Sequence, residues 1–370
     1  MESDSIYRIL IGGGGTGGHV FPAIAIADAL REKHPGWEFL FVGARGRLEM
    51  EKVPEAGYPI EGLPVAGFQR RLTIKNISFF YKLAASMILS RRIIKRFRPH
   101  VAVGVGGYAS GPILKAAARK RIPILLQEQN SYAGVTNRIL GRSAGAICVA
   151  YDRMDRYFPA DKIILTGNPI RRHLVSPPLN RAHDLEELGL KEDKKTLLVM
   201  GGSLGARTLN HSLLGGLAKL EREDLQVIWQ CGKFYGGEVE ERVARSGMQN
   251  IRVMPFISKM DCAYSAADVI VSRAGAITIS ELCVVGKPAI LVPSPNVAGD
   301  HQTRNAEALL SRGAAVMIPD SEAPEKLVDT MLELVDDENQ QLELSKNIKQ
   351  LGIPDASYRI AEEVSKLIDS

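Results

Sequence analysis

Three times along this chain a short apolar run breaks off into clustered glycines and then into a helical pattern. Tyr7–Ile11 leads into Gly12–His19, Val101–Val105 into Gly106–Pro112, and Thr196–Met200 into Gly201–Arg207. Short β-branched and aliphatic runs that end in glycine suit strands buried on both faces, and the longer stretches between them suit helices. Strands that alternate with helices throughout predict parallel sheets covered by helices on both sides. The third glycine stretch repeats the pattern of the first, so the chain reads as two similar α/β halves. The Pro-rich, polar stretch Ser176–Asn180 marks the junction between them. A length of 370 residues agrees with two domains, and 45% apolar against 24% charged residues supplies a core for each.

The first glycine loop admits more than one ligand class. Gly13, Gly15 and Gly18 satisfy G-x-G-x-x-G, the dinucleotide fingerprint. The next strand, Glu38–Val42, ends in Gly43-Ala-Arg-Gly, with no acidic residue to hold an adenine ribose, so NAD or FAD is not expected. No G-x-x-x-x-G-K-S/T occurs, and P-loop hydrolysis is unsupported. The glycines still let a backbone approach a phosphate closely. His19 stands just before a helix expected from Val20 to Lys33. It is either a cap or packing residue, or the one titratable side chain of that loop placed for proton transfer.

Charge is unevenly spread. Residues 1–170 hold 24 Lys and Arg against 13 Asp and Glu, whereas the remainder holds 23 against 29. Between Gly62 and Arg142 stand 15 basic residues and a single acidic one, Glu128. This predicts an anionic surface or polyanionic partner for the first half. A long helix is expected from Ile77 to Phe97. On a wheel of 100° per residue, Ile77, Phe79, Phe80, Tyr81, Leu83 and Ala84 spread over about 200°, wider than the stripe one core needs. Some of Ile77, Phe79, Phe80 and Tyr81 should then be exposed, flanked by Arg70, Arg71, Lys75 and Lys82: a patch for an anionic membrane. The other reading places these aromatics in the core.

Cys148, Cys231, Cys262 and Cys283 lack metal-ligand spacing and are expected as buried free thiols in a reducing compartment. The N-terminus shows no cleavable leader pattern, and no apolar run approaches the roughly 20 residues of a spanning helix. The protein is expected to be cytoplasmic.

Residues 267–305 carry the densest chemistry. Asp268–Val271 reads as a strand, Ser272–Ala276 as a turn of small residues, and Thr278–Glu281 as the start of a helix closed by Gly286 and Pro288. Ala289–Val292 is the next strand, and Gly299–Asn305 a polar loop opening another helix. Two helix N-termini at the carboxyl ends of adjacent strands suit phosphate oxygens. Glu281, about one turn in, could accept hydrogen bonds from a ribose diol at a site open to water. Thr278, Ser280 and Glu281 would equally serve as ordinary first-turn residues.

The run Ser272-Arg-Ala-Gly-Ala-Ile-Thr-Ile-Ser-Glu281, the Asp300-His-Gln segment with Asn305-Ala, the glycine loops Gly12–His19, Gly104–Pro112 and Gly201–Arg207, Glu128-Gln-Asn130 and Gly167-Asn-Pro-Ile-Arg171 together resemble the GT-B glycosyltransferases of family 28. They most resemble its bacterial peptidoglycan N-acetylglucosaminyltransferases, and the likeness spans nearly the whole chain. One departure is Gln127, where many family members have His. The resemblance implies two Rossmann-like, doubly wound parallel-sheet domains facing across a cleft. The first, 1–172, would bind acceptor and membrane, with the helix at about 354–370 packing back on it; the second, 173–353, would bind the donor.

The implied activity moves N-acetylglucosamine from UDP-N-acetylglucosamine to the 4-hydroxyl of the muramyl sugar of lipid I, giving lipid II with inversion, on the cytoplasmic membrane face. Inverting transfer needs a base and stabilisation of the departing diphosphate. No Asp-x-Asp is present, so neither metal nor cofactor is expected, and no nucleic acid partner. The family pattern puts donor contacts at Thr16, Gly17, Gly18, Asn130, Arg171, Ser203, Ile257, Ala276, Ile277, Thr278, Ile279, Ser280, Glu281 and Gln302. His19 becomes the expected base, and Gly14, Gly15, Gly106, Gly107 and Tyr108 the expected seat of the acceptor pyrophosphate. A UDP-N-acetylglucosamine 2-epimerase would share architecture and donor without needing the basic, apolar first half. A non-catalytic, membrane-associated nucleotide-sugar binder would bind donor without transfer.

Overall fold

The computed structural model describes residues 6–65, 75–171, 174–175, 180–222, 224–297 and 300–369, with the side chains of 75–78 and 80 outside that description. The chain divides into two units, Met1–Arg171 with Ile353–Ser370, and Arg172–Gly352.

In the first unit the strands are β1 (Arg8–Gly12), β2 (Glu38–Ala44), β3 (Ile60–Leu63), β4 (Val101–Gly104), β5 (Ile124–Glu128), β6 (Ala146–Val149) and β7 (Ile163–Leu165). Between them run α1 (Gly17–Lys33), α2 (Glu49–Glu55), α3 (Lys75–Phe97), α4 (Ser110–Arg119) and α5 (Val135–Leu140). The sheet order is β3-β2-β1-β4-β5-β6-β7 and every pairing is parallel. Strand side chains alternate between faces. Ile9, Ile11, Val103 and Leu125 therefore enter one core with Ile26 and Leu30 of α1. Leu10, Val42, Ala102 and Leu126 enter the opposite core with Ile93 and Ile94 of α3 and Ile113 and Leu114 of α4.

The second unit repeats the plan. Its strands are β8 (Lys195–Met200), β9 (Leu225–Gln230), β10 (Ile251–Met254), β11 (Val269–Ser272), β12 (Ala289–Leu291) and β13 (Val316–Met317), in the all-parallel order β10-β9-β8-β11-β12-β13. Its helices are α6 (Arg181–Glu187), α7 (Arg207–Gly215), α8 (Leu217–Leu220), α9 (Gly236–Ser246), α10 (Met260–Ala266), α11 (Ala276–Val285), α12 (His301–Leu310), α13 (Ala323–Asp336) and α14 (Glu338–Lys349). Trp229, fully buried among Leu197, Val199 and Val271, donates its indole N–H to Asn210 at 3.0 Å.

The last helix, α15 (Ala356–Asp369), belongs to the first unit. Ile360, Ala361 and Val364 join the core beside α1, and Tyr358 donates to Glu32 at 2.8 Å.

Strand order reverses between β1 and β4 and again between β8 and β11. The crevice outside the carboxyl ends at such a switch point is where open α/β sheets take ligands. Gly12 pairs with Gly104 and Ser272 with Met200, so in each unit two loops leave adjacent strands at one level.

Three helix starts fall earlier than the sequence pattern places them, α3 at Lys75 rather than Ile77 being one. α1 begins at Gly17 rather than Val20, because Thr16 is extended and its carbonyl accepts the first bonds, from His19 and Val20 at 3.1 Å. α11 begins at Ala276 rather than Thr278, with extended Gly275 as its cap. Gly286, at φ 72°, ends it as expected.

Candidate functional site

At the carboxyl edge of the first sheet, two glycine loops touch. A Cβ on Gly107 would come within 2.1 Å of the Gly14 carbonyl oxygen, and one on Gly106 within 2.9 Å of Nε2 of His19. The His19 ring thus lies against the second glycine loop, half-buried, with Nδ1 3.2 Å from Oγ1 of Thr16. Ser110 fixes the crossing, its hydroxyl lying 2.7 Å from the carbonyl oxygens of both Gly12 and Gly106, which share its one proton. No side chain caps α1, so the first-turn amides at Gly17 and Gly18 lack intrahelical acceptors and suit an anion. The Arg171 guanidinium stacks over Phe21 of α1, 4.8 Å from the ring centre, and a Cβ on Gly17 would meet that same ring at 3.3 Å. A cation therefore stands beside this helix start.

Behind the loops lies a buried polar cluster. The Glu128 carboxylate accepts from the backbone N–H of Gly134 at 3.0 Å, the Asn137 amide at 2.9 Å and the backbone N–H of Asn130 at 3.2 Å. Burial nevertheless raises its pKa above the ordinary carboxylate range, the hydrogen bonds opposing that shift. Gln129 donates to the Val105 carbonyl at 2.8 Å and to Gln127, and Gln127 donates to Asn168 at 3.0 Å. The departure at Gln127 is thus accommodated by amide hydrogen bonds. This cluster joins Asn130 and the Gly167–Arg171 turn to the second glycine loop.

In the second unit, the turn before α11 is held from three sides. Arg273 donates to the carbonyls of Val292 at 3.0 Å and Pro293 at 3.3 Å and pairs with Asp320, which also accepts from Thr208 at 2.9 Å. Asn305, fully buried, donates to the Ala274 carbonyl at 3.3 Å. With Gly275 as cap and no side-chain cap bond, the amides at Ala276, Ile277 and Thr278 lack intrahelical acceptors and suit an anion. Ser280 donates to its own helix at Ala276, 3.0 Å away. Gln302 accepts from the Ser294 N–H at 2.8 Å, bracing the loop after β12. Ser203 is exposed in the loop after β8, where Gly202 and Gly205 take φ of 79° and 88°.

Three expectations need correction. Glu281 is not open to water. It is 3% exposed, lies in the second turn because α11 starts early, and accepts from Tyr264 Oη at 3.0 Å. Ile257 is 1% exposed, so its side chain is core and only its backbone could meet a base; Phe256 beside it is 41% exposed. Gly15 does not offer its N–H to a pyrophosphate, since it donates to Glu49 at 2.9 Å, and Gly14 is buried between Glu49 and Gly107. Gly106 is buried as well, while Gly107 is half-buried and Tyr108 is 60% exposed.

Of the expected membrane patch, Arg70 and Arg71 lie outside the described residues, as do the side chains of Lys75, Ile77 and Phe80. Phe79 is half-buried, Tyr81 is 77% exposed, and Lys82, Leu83 and Ile88 are exposed. No helix among the described residues is long and apolar enough to cross a membrane. All four cysteines are free and buried. Asp184, Glu187 and Cys262 gather their ligand atoms within 4.8 Å, but Glu187 is ion-paired with Lys259, and burial with Asp184 nearby pushes the Cys262 thiol up to about 12.

Glu49, Tyr264 and the Arg273–Asp320 pair are parts of the site that no local sequence pattern marks. The only sequence signal was Arg273 within its motif; its partner stands 47 residues away.

The family model described as the glycosyltransferase family 28 N-terminal domain matches residues 9–149, and the family 28 C-terminal domain matches residues 196–360. The chain is 56% identical over 363 residues to the UDP-N-acetylglucosamine--N-acetylmuramyl-(pentapeptide) pyrophosphoryl-undecaprenol N-acetylglucosamine transferase of Phocaeicola vulgatus, covering 98% of this chain and 96% of that one. The enzyme of the same name from Bacteroides thetaiotaomicron is 54% identical, covering 98% of each. The crystal structure of Acinetobacter baumannii MurG matches with a TM-score of 0.76 at 30% identity, covering 98% of this chain and all of that one. A putative UDP-N-acetylglucosamine 2-epimerase from Listeria monocytogenes matches with a TM-score of 0.72 over 98% of this chain and 96% of that one, but at 13% identity, which speaks to the fold alone.

Proposed function

This chain belongs to glycosyltransferase family 28, and from that premise we propose that it transfers N-acetylglucosamine from UDP-N-acetylglucosamine to the 4-hydroxyl of the N-acetylmuramyl-pentapeptide of lipid I, giving lipid II for peptidoglycan. The observation that carries the substrates is the identity of 54–56% across 98% of the chain with enzymes bearing that name. The 2-epimerase reading rests on a fold likeness at 13% identity and is not favoured.

The residues supply the chemistry as follows. Within the second unit the donor diphosphate sits on the uncapped start of α11, with Ser203 adding a hydroxyl; Arg171, beside the start of α1, remains a proposed donor contact of the first unit. Glu281 takes the ribose diol, and the backbone at Ile257 takes the uracil edge. Thr16, Gly17, Gly18 and Asn130 are the proposed sugar contacts of the first unit, and in the second Gln302 steadies the loop after β12. As the acceptor hydroxyl attacks the anomeric carbon, His19 removes its proton through Nε2 and UDP departs from the opposite face, so configuration inverts. The Thr16 hydroxyl at Nδ1 orients the ring for that role. Gly107 and Tyr108, without Gly14, Gly15 and the buried Gly106, remain the proposed seat of the acceptor pyrophosphate.

The protein works as a peripheral enzyme on the cytoplasmic face of the membrane. Tyr81, Leu83 and Ile88 of α3 and Val135 and Ile139 of α5 are exposed, with Lys82, Arg91, Arg138 and Arg142 beside them. An apolar hollow of about 370 Å³ lined by Phe79, Leu83, Met87, Tyr108, Pro112 and Ile139 opens on the same side as the second glycine loop. UDP release from UDP-N-acetylglucosamine, followed with and without a soluble short-chain lipid I analogue, tests the reading. Release that depends on the analogue is expected. Release or sugar rearrangement indifferent to the analogue would overturn it.

A further inference from the structure

We propose that Glu49 is a positioning residue for the transfer reaction: its buried carboxylate sets the first glycine loop so that the start of α1 and His19 face the reacting atoms. This rests on the transferase reading and deepens it.

Glu49 opens α2 and is 2% exposed. Oε1 accepts the Ala44 N–H at 2.8 Å, at the end of β2, and Oε2 accepts the Gly15 N–H at 2.9 Å, in the loop after β1. One carboxylate therefore ties two strand ends together. No cation pairs with it among the described residues, so these charge-assisted hydrogen bonds are what hold a buried negative charge in place.

The surrounding backbone is shaped to admit it. Gly14 and Gly15 take φ of 135° and 96°, which side-chain-bearing residues rarely adopt. A Cβ on Gly14 would stand 2.2 Å from Oε1, and a Cβ on Gly43, in β2, 2.4 Å from Cγ of Glu49. Gly107 closes on Gly14 from the other side.

Two consequences reach the chemistry. α1 begins two residues after Gly15, so the clamp fixes the direction in which Thr16, the Gly17 and Gly18 amides and His19 point. The negative charge at Gly15 also repels a diphosphate from Gly14–Gly15, in keeping with an acceptor pyrophosphate seated on the second glycine loop instead.

The test compares Glu49→Gln, Gly43→Ala and the double variant. The Gln side chain keeps the shape, but its NH₂ must face one of the two N–H donors. Gly43→Ala displaces the Glu49 stem from outside the loop, at a position with no positive φ. Turnover, KM for both substrates, UDP affinity by calorimetry and melting temperature are measured together. Each single variant is expected to lose at least about tenfold in kcat, the scale of a small misplacement at a reacting centre. UDP affinity should stay near wild type; the melting temperature should fall by the few degrees that an unpaired buried N–H costs, while the loss of turnover persists at assay temperatures well below it. The double variant should be no worse than Glu49→Gln, since both changes break one clamp.

Turnover within twofold of wild type in either single variant would overturn the proposal. Losses that track melting or UDP binding, or that multiply in the double variant, would do the same, because they indicate a purely structural role. A wild-type protein that fails to transfer at all would instead remove the functional reading beneath it.

Discussion

The phenol of Tyr264 donates to Oε2 of Glu281 across 3.0 Å, with the two residues 1% and 3% exposed. A carboxylate so placed is aimed by a fixed donor rather than by water. Glu281→Gln should remove a charge-assisted hydrogen bond to the ribose worth about 1.5–3 kcal/mol, roughly 10- to 150-fold in donor affinity. Glu281→Ala should add a stability loss of about 1–3 kcal/mol, because it removes the acceptor of a buried hydroxyl. UDP titration and thermal melting separate the two effects. Unchanged UDP affinity in the Gln variant would take Glu281 out of the donor site.

His19→Ala should cost about 100- to 10,000-fold in turnover and leave UDP affinity nearly intact, as befits a base. Thr16→Val removes the hydroxyl at Nδ1 and should lower turnover in the same direction by a smaller factor. Steady-state kinetics and UDP titration read both; a loss below about tenfold in His19→Ala would assign the proton to another group.

Glu128 should leave a mark on stability against pH. Its folded pKa is raised, chiefly by burial, so its protonated form favours the folded state. Its contribution is complete below the unfolded value of about 4.3 and is lost as pH rises through the folded pKa. The stability of wild type relative to Glu128→Gln should therefore grow as pH falls through that window and then level off. Urea unfolding of both proteins at several pH values between about 4 and 8 measures it. A difference that shrinks on acidification would contradict the assignment.

Vesicle co-sedimentation tests the membrane face. Tyr81, Leu83 and Ile88 are exposed, so their replacement by Ser, with Lys82→Glu, should leave melting unchanged. Binding to anionic vesicles should fall, each lost basic residue removing about 1 kcal/mol. Transfer to a water-soluble acceptor should persist. Undiminished sedimentation would place the docking surface elsewhere.

Much of the fold was legible because glycine marks the strand ends. The loops after β1, β4 and β8 stand where the sequence puts them, and so does the Gly286 stop. Less visible was whatever depends on distant partners. Glu281 reads as a first-turn residue until the start of α11 at Ala276 and the ring of Tyr264, 17 residues back, show it buried. Gly15 looks like an open phosphate loop until Glu49, 34 residues on, is found holding its N–H. Arg273 gave no hint that Asp320 and two loop carbonyls anchor it. Such clamps are set by which strand ends are neighbours, and local periodicity does not encode that.

The most direct measurement is the structure of the product. UDP-N-acetylglucosamine and a soluble lipid I analogue are incubated with the protein, and the product is examined by NMR. The expected product is a β-linked N-acetylglucosamine on the 4-hydroxyl of the muramyl sugar, formed with one UDP released per sugar transferred. An α-linkage, or UDP-N-acetylmannosamine accumulating with no acceptor present, would contradict it.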